Sequence, residues 1–486
     1  MKTIDMNASN QNNKMTNFRW VICVLLFFAT TVNYLDRQVL SLTWDEFIKP
    51  EFHFDSVDYG NITGVFAIVY ALALLFAGNI VDKLGTKLGY AVAIFVWSVG
   101  ACIHALCGVA TEYFVGASSR LDMVQATGDT AVAISTFAVW IFIFARCVLA
   151  IGEGGNFPAA IKATAEYFPK KDRAFATSIF NSGSSIGALV APLTVPLLAK
   201  YYGWEMAFLI IGSLGFIWMA IWIFVYKKPE ENKLVNAAEL EYIEQDKESD
   251  AVFDQEVKEE VVTKKPSLLE FFKHRQTWAF SLGRFLTDGV WWFFLFWTPS
   301  YLNSQFGIKT SDPQGIALIF TLYLISMLSI YGGKIPTLIM ERTGKDPYAS
   351  RMRAMLFFAF IPLIVLLAQP LGTISPWLSV ICIGLGCAAH QSWSANMYTV
   401  GTDMFPKHAS ATITGIMGMA AGISSFILQQ VAGRLFKYAG DTGMEFLGFK
   451  GEPAGYFIIF CFCAVAYLIG WIVMKSLVPK YKLVNI

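Results

Sequence analysis

The chain has 486 residues, of which 55% are hydrophobic and 15% are charged, whereas about a quarter of the residues of a soluble globular protein are charged. Its 37 lysines and arginines nearly balance its 36 aspartates and glutamates, so the net charge indicates no nucleic-acid partner. This composition excludes a soluble protein. It predicts an all-α membrane protein.

Apolar segments long enough to cross a bilayer as helices recur along the whole chain. We predict twelve of them, at residues 20–43, 60–81, 88–108, 135–157, 174–200, 205–226, 277–301, 315–333, 353–369, 376–400, 411–433 and 454–476. The polar segment between the sixth and the seventh is rich in lysine and acidic residues, and we expect one surface helix in it, near Asn236–Lys247.

This pattern divides the chain into two halves of six spanning helices each. The predicted parts are an N-terminal tail (1–19), a first half (20–226), a linker (227–276), a second half (277–476) and a C-terminal tail (477–486). Two halves joined by a linker are typical of transporters built from structural repeats, whose substrate site lies between the halves.

The distribution of basic residues predicts the orientation of the chain. With the N-terminus inside, 27 of the 37 lysines and arginines fall on the cytosolic side, 7 fall outside and 3 lie within the spans. The positive-inside rule therefore places both termini and the linker in the cytosol. Segment 109–134 would lie outside, and we interpret it as a tolerated insertion.

The first span contains an acid next to a base, Asp36 and Arg37. Each ionisable side chain at the centre of a membrane helix costs about 2.5–3.5 kcal/mol on insertion scales, and such residues normally face a bundle interior or a water-filled cavity. One interpretation is a structural ion pair that joins helices. The other is that Arg37 faces an anionic solute while Asp36 carries a proton.

The fourth span contains a second base and acid, Arg146 and Glu153. Their separation of seven residues is two helical turns, so they share a helix face at about 10 Å along the axis. A second buried charged pair favours the functional interpretation of the first, although a structural network also remains open.

The connection between the second and third spans carries Gly78, Asp82, Gly85 and Lys87. This pattern resembles the loop signature of the major facilitator superfamily, G-x-x-x-D-x-x-G-x-K/R. The resemblance implies the fold of that superfamily, with twelve helices in two halves. It also implies that these four residues form a cytosolic latch in the conformational cycle, without contact to the solute.

Further motifs resemble the anion:cation symporter branch of that superfamily. They are Asn33-Tyr34-Leu35-Asp36-Arg37 and Arg146 followed by Gly152-Glu153. Three stretches, which are 82–90, 180–188 and Ala389-His390-Gln391, are most similar to the hexuronate transporters of that branch. The resemblance extends over nearly the whole chain except 1–17 and 109–134.

The resemblance implies that Arg37 and Arg146 hold the substrate carboxylate, and that Asp36 and Glu153 take up and release the coupling proton. A guanidinium group stays charged and binds a carboxylate in a bidentate way, which agrees with the first role. A nearby arginine favours the ionised form of an aspartate or glutamate. An anion bound to that arginine would weaken this effect and favour protonation of the carboxylate.

A sugar acid also needs hydrogen-bonding partners for its hydroxyl groups. The candidates are Tyr34, Tyr70, Asn181 and Ser182 in the first half, with His390, Gln391 and Asn396 in the second. Each is explained equally well as an interhelical hydrogen bond. Three tryptophans of the seventh span, Trp291, Trp292 and Trp297, are better explained by packing than by stacking on a sugar. Arg284 and Asp288, four residues apart, are predicted to pair with each other.

Nothing in the sequence predicts a metal site, a cofactor or an enzyme. The membrane histidines His104 and His390 have no cysteine or histidine at ligand spacing. No nucleophile elbow and no Walker-type phosphate loop is present. The expected partners are a small organic anion, protons and the lipid bilayer, and we expect a monomer.

The resemblance leads to one functional expectation. The protein would be a proton-coupled symporter that imports a hexuronate, such as galacturonate or glucuronate, across a bacterial cytoplasmic membrane. The alternatives are another organic anion (an aldonate such as galactonate, glucarate or sialic acid) or phosphate, and coupling to sodium. A sensor or a membrane enzyme would need a folded soluble domain or a catalytic constellation, and the linker offers neither. A passive facilitator would lack Asp36 and Glu153, so their presence favours coupled transport.

Overall fold

The structure is a computed structural model that describes residues 15–245, 268–344, 346–406 and 409–484. Most of the predicted N-terminal tail and the middle of the predicted linker, including the end of the surface helix expected near Asn236–Lys247, lie outside the described residues.

The first half of the chain is a series of helices joined by short turns. In chain order they are α1 (Phe18–Thr43), α2 (Lys49–Phe52), α3 (Ser56–Leu84), α4 (Thr86–Ala105), α5 (Cys107–Val115), α6 (Arg120–Gln125), α7 (Asp129–Glu153), α8 (Asn156–Tyr167), α9 (Lys170–Tyr202) and α10 (Trp204–Val225). A π-helical turn, Trp44–Ile48, joins α1 to α2.

The second half repeats this arrangement after the linker. Its helices, with two that belong to the linker, are α11 (Ala237–Glu244), α12 (Leu268–Phe271), α13 (Arg275–Phe306), α14 (Pro313–Ser326), α15 (Ile335–Thr343), α16 (Pro347–Phe360), α17 (Ala368–Gly372), α18 (Pro376–Asp403), α19 (Ser410–Thr442) and α20 (Glu452–Leu477). The strands β1 (Glu445–Phe446) and β2 (Phe449–Lys450) pair as an antiparallel hairpin before α20.

The twelve predicted spans all correspond to long helical segments. Within the described residues, ten segments are long and apolar enough to cross a membrane by length and composition. The other two predicted spans are α13 and α18, with 32 and 28 residues. Both carry polar side chains in their middle, among them Arg284 and Asp288 on α13 and His390 on α18.

Helices α3 and α19 bring the two halves into contact. An added Cβ at Gly60 would lie 2.6 Å from the backbone oxygen of Gln429, and one at Gly433 would lie 2.3 Å from that of Ser56. Only glycine permits this approach, as at the small-residue interfaces of membrane helices. We call the end of the bundle where α3 begins the Asp55 face, and the end where α3 leads into α4 the Asp82 face.

Hydrogen bonds between the halves hold the Asp55 face closed. The Tyr59 hydroxyl donates to the backbone oxygen of Phe296 (2.7 Å), and the Thr310 hydroxyl donates to that of Leu42 (2.7 Å). The Ser311 hydroxyl donates to Glu46 at 2.7 Å. Buried aromatic side chains of both halves fill the same region, including Tyr59 and Trp297 with ring centroids 4.8 Å apart.

Asp55 and Lys437 add an ion pair between the halves at 2.5 Å. Asp55 is also the N-cap of α3, where its carboxylate accepts from the backbone N–H groups of Val57 and Asp58. Burial opposes ionisation of this carboxyl, but the Lys437 hydrogen bond and the two N–H groups outweigh that cost, so the pKa of Asp55 lies below its ordinary value.

The linker helix α11 docks on the first half. Its Glu239 is fully buried and accepts from the backbone N–H groups of Phe18 and Arg19, at 2.9 and 3.0 Å, and from the Arg19 side chain. These are free N–H groups at the start of α1, where a carboxylate is favoured. The predicted surface helix therefore exists, and its acidic side chain caps the first span.

Segment 109–134 is also tied to the first half. Arg120 forms ion pairs with Glu51, at the end of the first span, and with Glu205 at the start of α10. The ring of His53 hydrogen-bonds the backbone oxygen of Met123 at 2.8 Å. The segment is thus a folded extension that is anchored at the Asp55 face of the first half.

Candidate functional site

Arg37 lies in the middle of the bundle and pairs with Glu153. Its Nε and Nη2 donate to Glu153 Oε2 at 2.8 and 2.5 Å, and the side chains are 2% and 0% exposed. The pair joins α1 to α7. Sequence neighbours on a helix point in different directions, which explains why Arg37 pairs across helices rather than with Asp36.

Aromatic rings surround the Arg37 guanidinium. Its central carbon lies 4.8 Å from the ring centroid of Tyr34, 4.7 Å from Tyr70, 5.0 Å from Trp292 and 5.8 Å from Phe66. These distances are in the range of cation–π contacts. Trp292 belongs to the second half, so the site lies at the junction of the halves. Of these rings, Tyr34 and Tyr70 are predicted site residues.

Phe66 and Trp292 have roles that the sequence did not assign to them. The sequence-based interpretation of Trp292 was packing, but in the structure its ring contacts the charged group of Arg37 at the centre of the bundle. The sequence contained one signal for Trp292. It follows Arg284 and Asp288 at intervals of four residues, so the three residues share one face of α13.

Arg146 and Asp36 are buried near the Arg37–Glu153 pair without hydrogen-bond partners of their own. Both are 0% exposed. Within the described part of the chain, none of the three Arg146 nitrogens and neither Asp36 carboxylate oxygen has a hydrogen-bond partner. The second Glu153 oxygen is also unpartnered there. Leaving buried polar groups unsatisfied is costly, so this cluster needs a functional explanation.

The four side chains carry two positive and two negative charges when ionised. Both guanidinium groups flank the ring of Phe66, with Arg146 at 5.2 Å from its centroid and Arg37 at 5.8 Å. The positive and negative charges of the cluster are therefore equal in number, but of the four side chains only Arg37 and Glu153 are hydrogen-bonded to each other. Such an arrangement can exchange partners when an anion or a proton arrives.

The remaining first-half candidates are on α9. Asn181 and Ser182 are exposed on α9, and the Ser182 hydroxyl donates to the backbone oxygen of Ile179 at 2.6 Å. The helix itself packs closely on α1, because a Cβ added at Gly187 would lie 2.4 Å from the backbone oxygen of Thr31.

The second-half candidates are only partly brought together. His390 is buried, with Nδ1 at 2.9 Å from the Tyr467 hydroxyl and its ring stacked on Trp291 at 5.6 Å. Asn396 is buried and donates to the backbone oxygen of Ser392. Gln391 is half-buried. The contacts of His390 and Asn396 are therefore with neighbouring helices and with the α18 backbone, and not with Arg37.

Arg284 and Asp288 form an ion pair on α13, which confirms the prediction that they pair with each other. Both are almost fully buried, and the central guanidinium carbon of Arg284 lies 4.0 Å from the ring centroid of Tyr398.

The predicted latch residues lie at the Asp82 face. Asp82 forms an ion pair with Lys162 of α8 at 2.7 Å, which links this loop to the next connection on the same face. Gly85 has φ = 77°, a conformation that favours glycine, and it separates α3 from α4. The Lys87 backbone oxygen accepts from Trp222, and a Cβ at Gly78 would meet nothing within 4 Å.

Groups of three or more histidine, cysteine, aspartate or glutamate side chains that could hold a metal ion do not occur in the described ranges.

Comparison with known proteins identifies relatives along almost the whole chain. The hexuronate transporter of Escherichia coli (strain K12) is 29% identical over 95% of this chain and 95% of its own. A galacturonate transporter of Dickeya chrysanthemi is 28% identical over 76% of this chain and 95% of its own. A protein of Bacillus subtilis (strain 168) described as a probable galactarate/D-glucarate transporter is 25% identical over 90% of each.

Solved structures share the fold. A bacterial homologue of the lysosomal transporter Spinster, in an inward-facing and occupied conformation, has a TM-score of 0.69 and 18% identity over 96% of this chain and 99% of its own. A D-xylose–proton symporter has a TM-score of 0.66 and 15% identity over 96% and 100%. The sequence profile of the Major Facilitator Superfamily matches residues 26–428. The chain is therefore a multi-pass membrane transporter, not an enzyme, and belongs to the Major Facilitator Superfamily.

Proposed function

We propose that the protein is a proton-coupled symporter that imports a hexuronate, such as galacturonate or glucuronate, across a bacterial cytoplasmic membrane. The hexuronate and galacturonate transporters among its relatives support this substrate class. The observation that carries the proposal is the Arg37–Glu153 pair, enclosed by aromatic rings from both halves.

The substrate carboxylate would replace Glu153 on Arg37. Carboxylates of the protein and of a uronate offer a guanidinium the same charged acceptor group, so one can take the place of the other. The surrounding rings of Tyr34, Tyr70 and Trp292 keep the guanidinium partly shielded from water, which strengthens its interaction with an anion. Arg146, whose nitrogens have no partner among the described residues, would hold the carboxylate from the other side.

Proton coupling would follow from this replacement. When the anion occupies Arg37, Glu153 loses its hydrogen-bonded counter-charge in a buried site, and a buried carboxylate without a counter-charge favours its protonated form. Uptake of one proton with one monoanion leaves the charge of the cluster unchanged. Asp36, whose oxygens are buried without hydrogen-bond donors in the described ranges, is the second candidate carrier.

The sugar hydroxyls would be bound by polar side chains around the same space. Tyr34 and Tyr70 are next to Arg37 and suit this role best. Further candidates are Asn181 and Ser182 on α9 and His390, Gln391 and Asn396 on α18. The glycines and charged residues of the latch, Gly78, Asp82, Gly85 and Lys87, would act at the cytosolic face during the cycle.

Alternating access would occur by separation of the halves at the Asp55 face. In the predicted orientation this face is the outer one, so the present arrangement is closed to the outside. Opening outward requires loss of the hydrogen bonds of Tyr59, Thr310 and Ser311 and of the Asp55–Lys437 ion pair.

Uptake of labelled galacturonate into proteoliposomes, with and without an inward proton gradient, tests the proposal. We expect gradient-stimulated uptake by the wild type and none by Arg37→Ala. Glu153→Gln should keep counterflow exchange but lose stimulation by the gradient, because the neutral amide mimics the protonated acid. Trp140→Ala, a change at an exposed position of α7, serves as a matched control.

The same preparation separates the alternatives. A sodium gradient in place of the proton gradient would identify sodium coupling. Competition by galactonate, glucarate, sialic acid or phosphate would identify another anion. Absence of galacturonate uptake by folded wild type would contradict the hexuronate assignment.

A further inference from the structure

His104 is a buried histidine of the first half that the mechanism above does not use. It is 0% exposed, and its Nδ1 lies 2.7 Å from the backbone oxygen of Gly100. Because a carbonyl oxygen only accepts, Nδ1 carries the proton of the neutral ring and Nε2 carries the lone pair. Nε2 has no hydrogen-bond partner within the described part of the chain. The ring therefore offers an unused proton acceptor inside the first half.

Aromatic neighbours hold the His104 ring in place. It stacks on Phe208 of α10, with ring centroids 4.8 Å apart and an interplanar angle of 4°. It also packs edge-on against Phe142 of α7, at 6.0 Å between centroids. These two rings and the bond to Gly100 restrict the orientation of the imidazole.

Helices α4 and α7 are in backbone contact beside His104. A Cβ added at Gly100 would overlap the backbone of Leu149, and a Cβ added at Gly152 would overlap the backbone of Trp97. A step of three residues back along α4, from 100 to 97, thus matches a step of three residues forward along α7, from 149 to 152. The two helices are therefore antiparallel at this contact, with a fixed register.

This register places His104 beside Arg146. One helical turn from Gly100 along α4 leads to His104, and the matching turn from Leu149 along α7 leads to Ala145, next to Arg146. His104 and Arg146 are close enough to interact electrostatically. The positive charge of Arg146, which makes no hydrogen bond to the described residues, therefore acts directly on the imidazole.

An acid lies on the central side of His104. Asp36 of α1 is within electrostatic range of Arg146 and of Cys102, which precedes His104 by two residues on α4. Both Asp36 oxygens are buried without hydrogen-bond donors in the described ranges. Asp36 is thus an acid of the central cluster that can accept a proton from this region.

A second acid lies on the side of the Asp55 face. Glu51 accepts from Nε1 of Trp204 at 2.7 Å, and Trp204 lies one turn of α10 before Phe208, on which His104 stacks. A Cβ added at Gly108, four residues beyond His104, would lie 3.6 Å from Glu51 Oε1. Two independent sets of contacts therefore place Glu51 about one helical turn outward of His104.

The imidazole lies between two sets of charges. At the Asp55 face, Arg120 forms ion pairs with Glu51 and Glu205. On the central side, Arg37 is paired with Glu153. Imidazole is the side chain that ordinarily gains or loses its charge between pH 5 and 8, which suits it to pass protons from one set to the other.

We propose that His104 is a proton relay between the Asp55 face and the acids of the central cluster, and that Arg146 controls it. The inference rests on the proton coupling of the proposed function. A proton arriving from the Asp55 face binds the lone pair of Nε2. The imidazolium then releases a proton from Nε2 to a carboxylate oxygen of Asp36, while the N–H at Nδ1 stays on Gly100.

The charge of Arg146 makes this relay depend on the substrate. A second positive charge beside the guanidinium is disfavoured, so the imidazolium does not form while Arg146 is uncompensated. A substrate carboxylate bound to Arg146 removes this opposition. Protons therefore pass when the anion is bound, by a route inside the first half that does not require the halves to separate.

Two variants of His104 test the relay in proteoliposomes. His104→Asn can keep a donor for the Gly100 oxygen, and His104→Phe keeps a ring to stack on Phe208, but neither carries a proton near neutral pH. Both should lower gradient-driven uptake of galacturonate at least about tenfold, because a positioned proton-transfer group contributes about a hundredfold or more. Counterflow exchange, which needs no net proton transfer, should stay within about twofold of wild type.

His274→Asn is the matched control. It makes the same change at the N-cap of α13, where asparagine is a favoured residue, and should leave both kinds of transport unchanged. Gradient-driven uptake equal to wild type in either His104 variant would overturn the proposal. Loss of counterflow together with gradient-driven uptake in both variants would make His104 a structural residue and also overturn it.

A leak measurement gives a readout that does not depend on the substrate. Proteoliposomes with an internal pH dye and no galacturonate should show little proton entry with wild type. Arg146→Gln, which removes the opposing charge, should admit protons, and the double variant Arg146→Gln/His104→Asn should not. A leak that persists in the double variant, or no leak in Arg146→Gln, would contradict the relay. If wild type takes up no galacturonate, the proposed substrate fails, and the leak comparison still decides the role of His104.

Discussion

The two halves hold their buried charges in different ways. In the first half, the Arg37–Glu153 pair joins two helices that are distant in sequence, and Arg146 and Asp36 lie nearby without hydrogen-bond partners among the described residues. In the second half, Arg284 and Asp288 lie four residues apart on one helix. A pair within one helix is kept in every arrangement of the bundle, because both residues move with the helix. A pair between helices depends on how the two helices pack. The Arg37–Glu153 pair is therefore coupled to the packing of the bundle, whereas the Arg284–Asp288 pair is set within one helix.

The largest effect should come from breaking the pair between helices. Arg37→Met leaves Glu153 buried without its partner, and removal of one member of a buried pair costs about 3–5 kcal/mol. We expect a loss of that order in the free energy of unfolding, measured by denaturation in detergent, together with loss of uptake.

The double variant Arg37→Met/Glu153→Leu is the control for this prediction. It removes both charges and should recover most of the stability, while uptake should remain absent. Recovery of uptake would show that Arg37 is not the substrate anchor.

A variant of Arg146 distinguishes the effect of a buried charge on transport from its effect on stability. Arg146→Met removes a guanidinium that makes no hydrogen bond to the described residues, so it should lower stability clearly less than Arg37→Met does. If Arg146 holds the substrate, uptake should fall about tenfold or more. A variant that unfolds readily and transports normally at low temperature would reverse this assignment.

A smaller effect is expected at the aromatic contact between the halves. Trp292→Ala removes one of the rings around Arg37, and a partly desolvated cation–π contact contributes about 0.5–2 kcal/mol. The KM for galacturonate should rise about twofold to thirtyfold, while Trp140→Ala, at a residue 68% exposed on α7, should leave it unchanged. An unchanged KM in Trp292→Ala would restore the interpretation of Trp292 as packing.

The smallest effect is expected at the Asp55 face. Asp55→Asn removes an ion pair whose side chains are 35% and 47% exposed, and such pairs contribute about 0.2–1 kcal/mol. The face should open more often, which labelling of a cysteine introduced at Ser300, between the halves, would report. A labelling rate equal to that of the protein with the native Asp55 would show that Lys437 does not hold the face closed.

The pH dependence of this contact follows from the lowered pKa of Asp55. A carboxyl whose pKa is lower in the folded protein stabilises that fold fully above its ordinary pKa of about 3.9. The contribution disappears as the pH falls through the lower native value. The difference in labelling between the native protein and the Asp55→Asn variant should therefore be constant near neutral pH and vanish only in strong acid.

The sequence by itself determined the membrane class, the twelve long helices, the superfamily and the presence of buried charged residues. Length, hydropathy and local motifs are sufficient for these features because a spanning helix satisfies its backbone hydrogen bonds within one segment. The same reasoning predicted the Arg284–Asp288 pair, which depends only on a spacing of four residues along one helix.

Only the tertiary structure decided which charges are paired. Arg37 bonds to Glu153, 116 residues away, and not to its neighbour Asp36. Trp292 of the second half contacts the Arg37 guanidinium. Glu239 of the linker caps the first helix. No local pattern contains these partners, because they are selected by the packing of helices that are far apart in sequence.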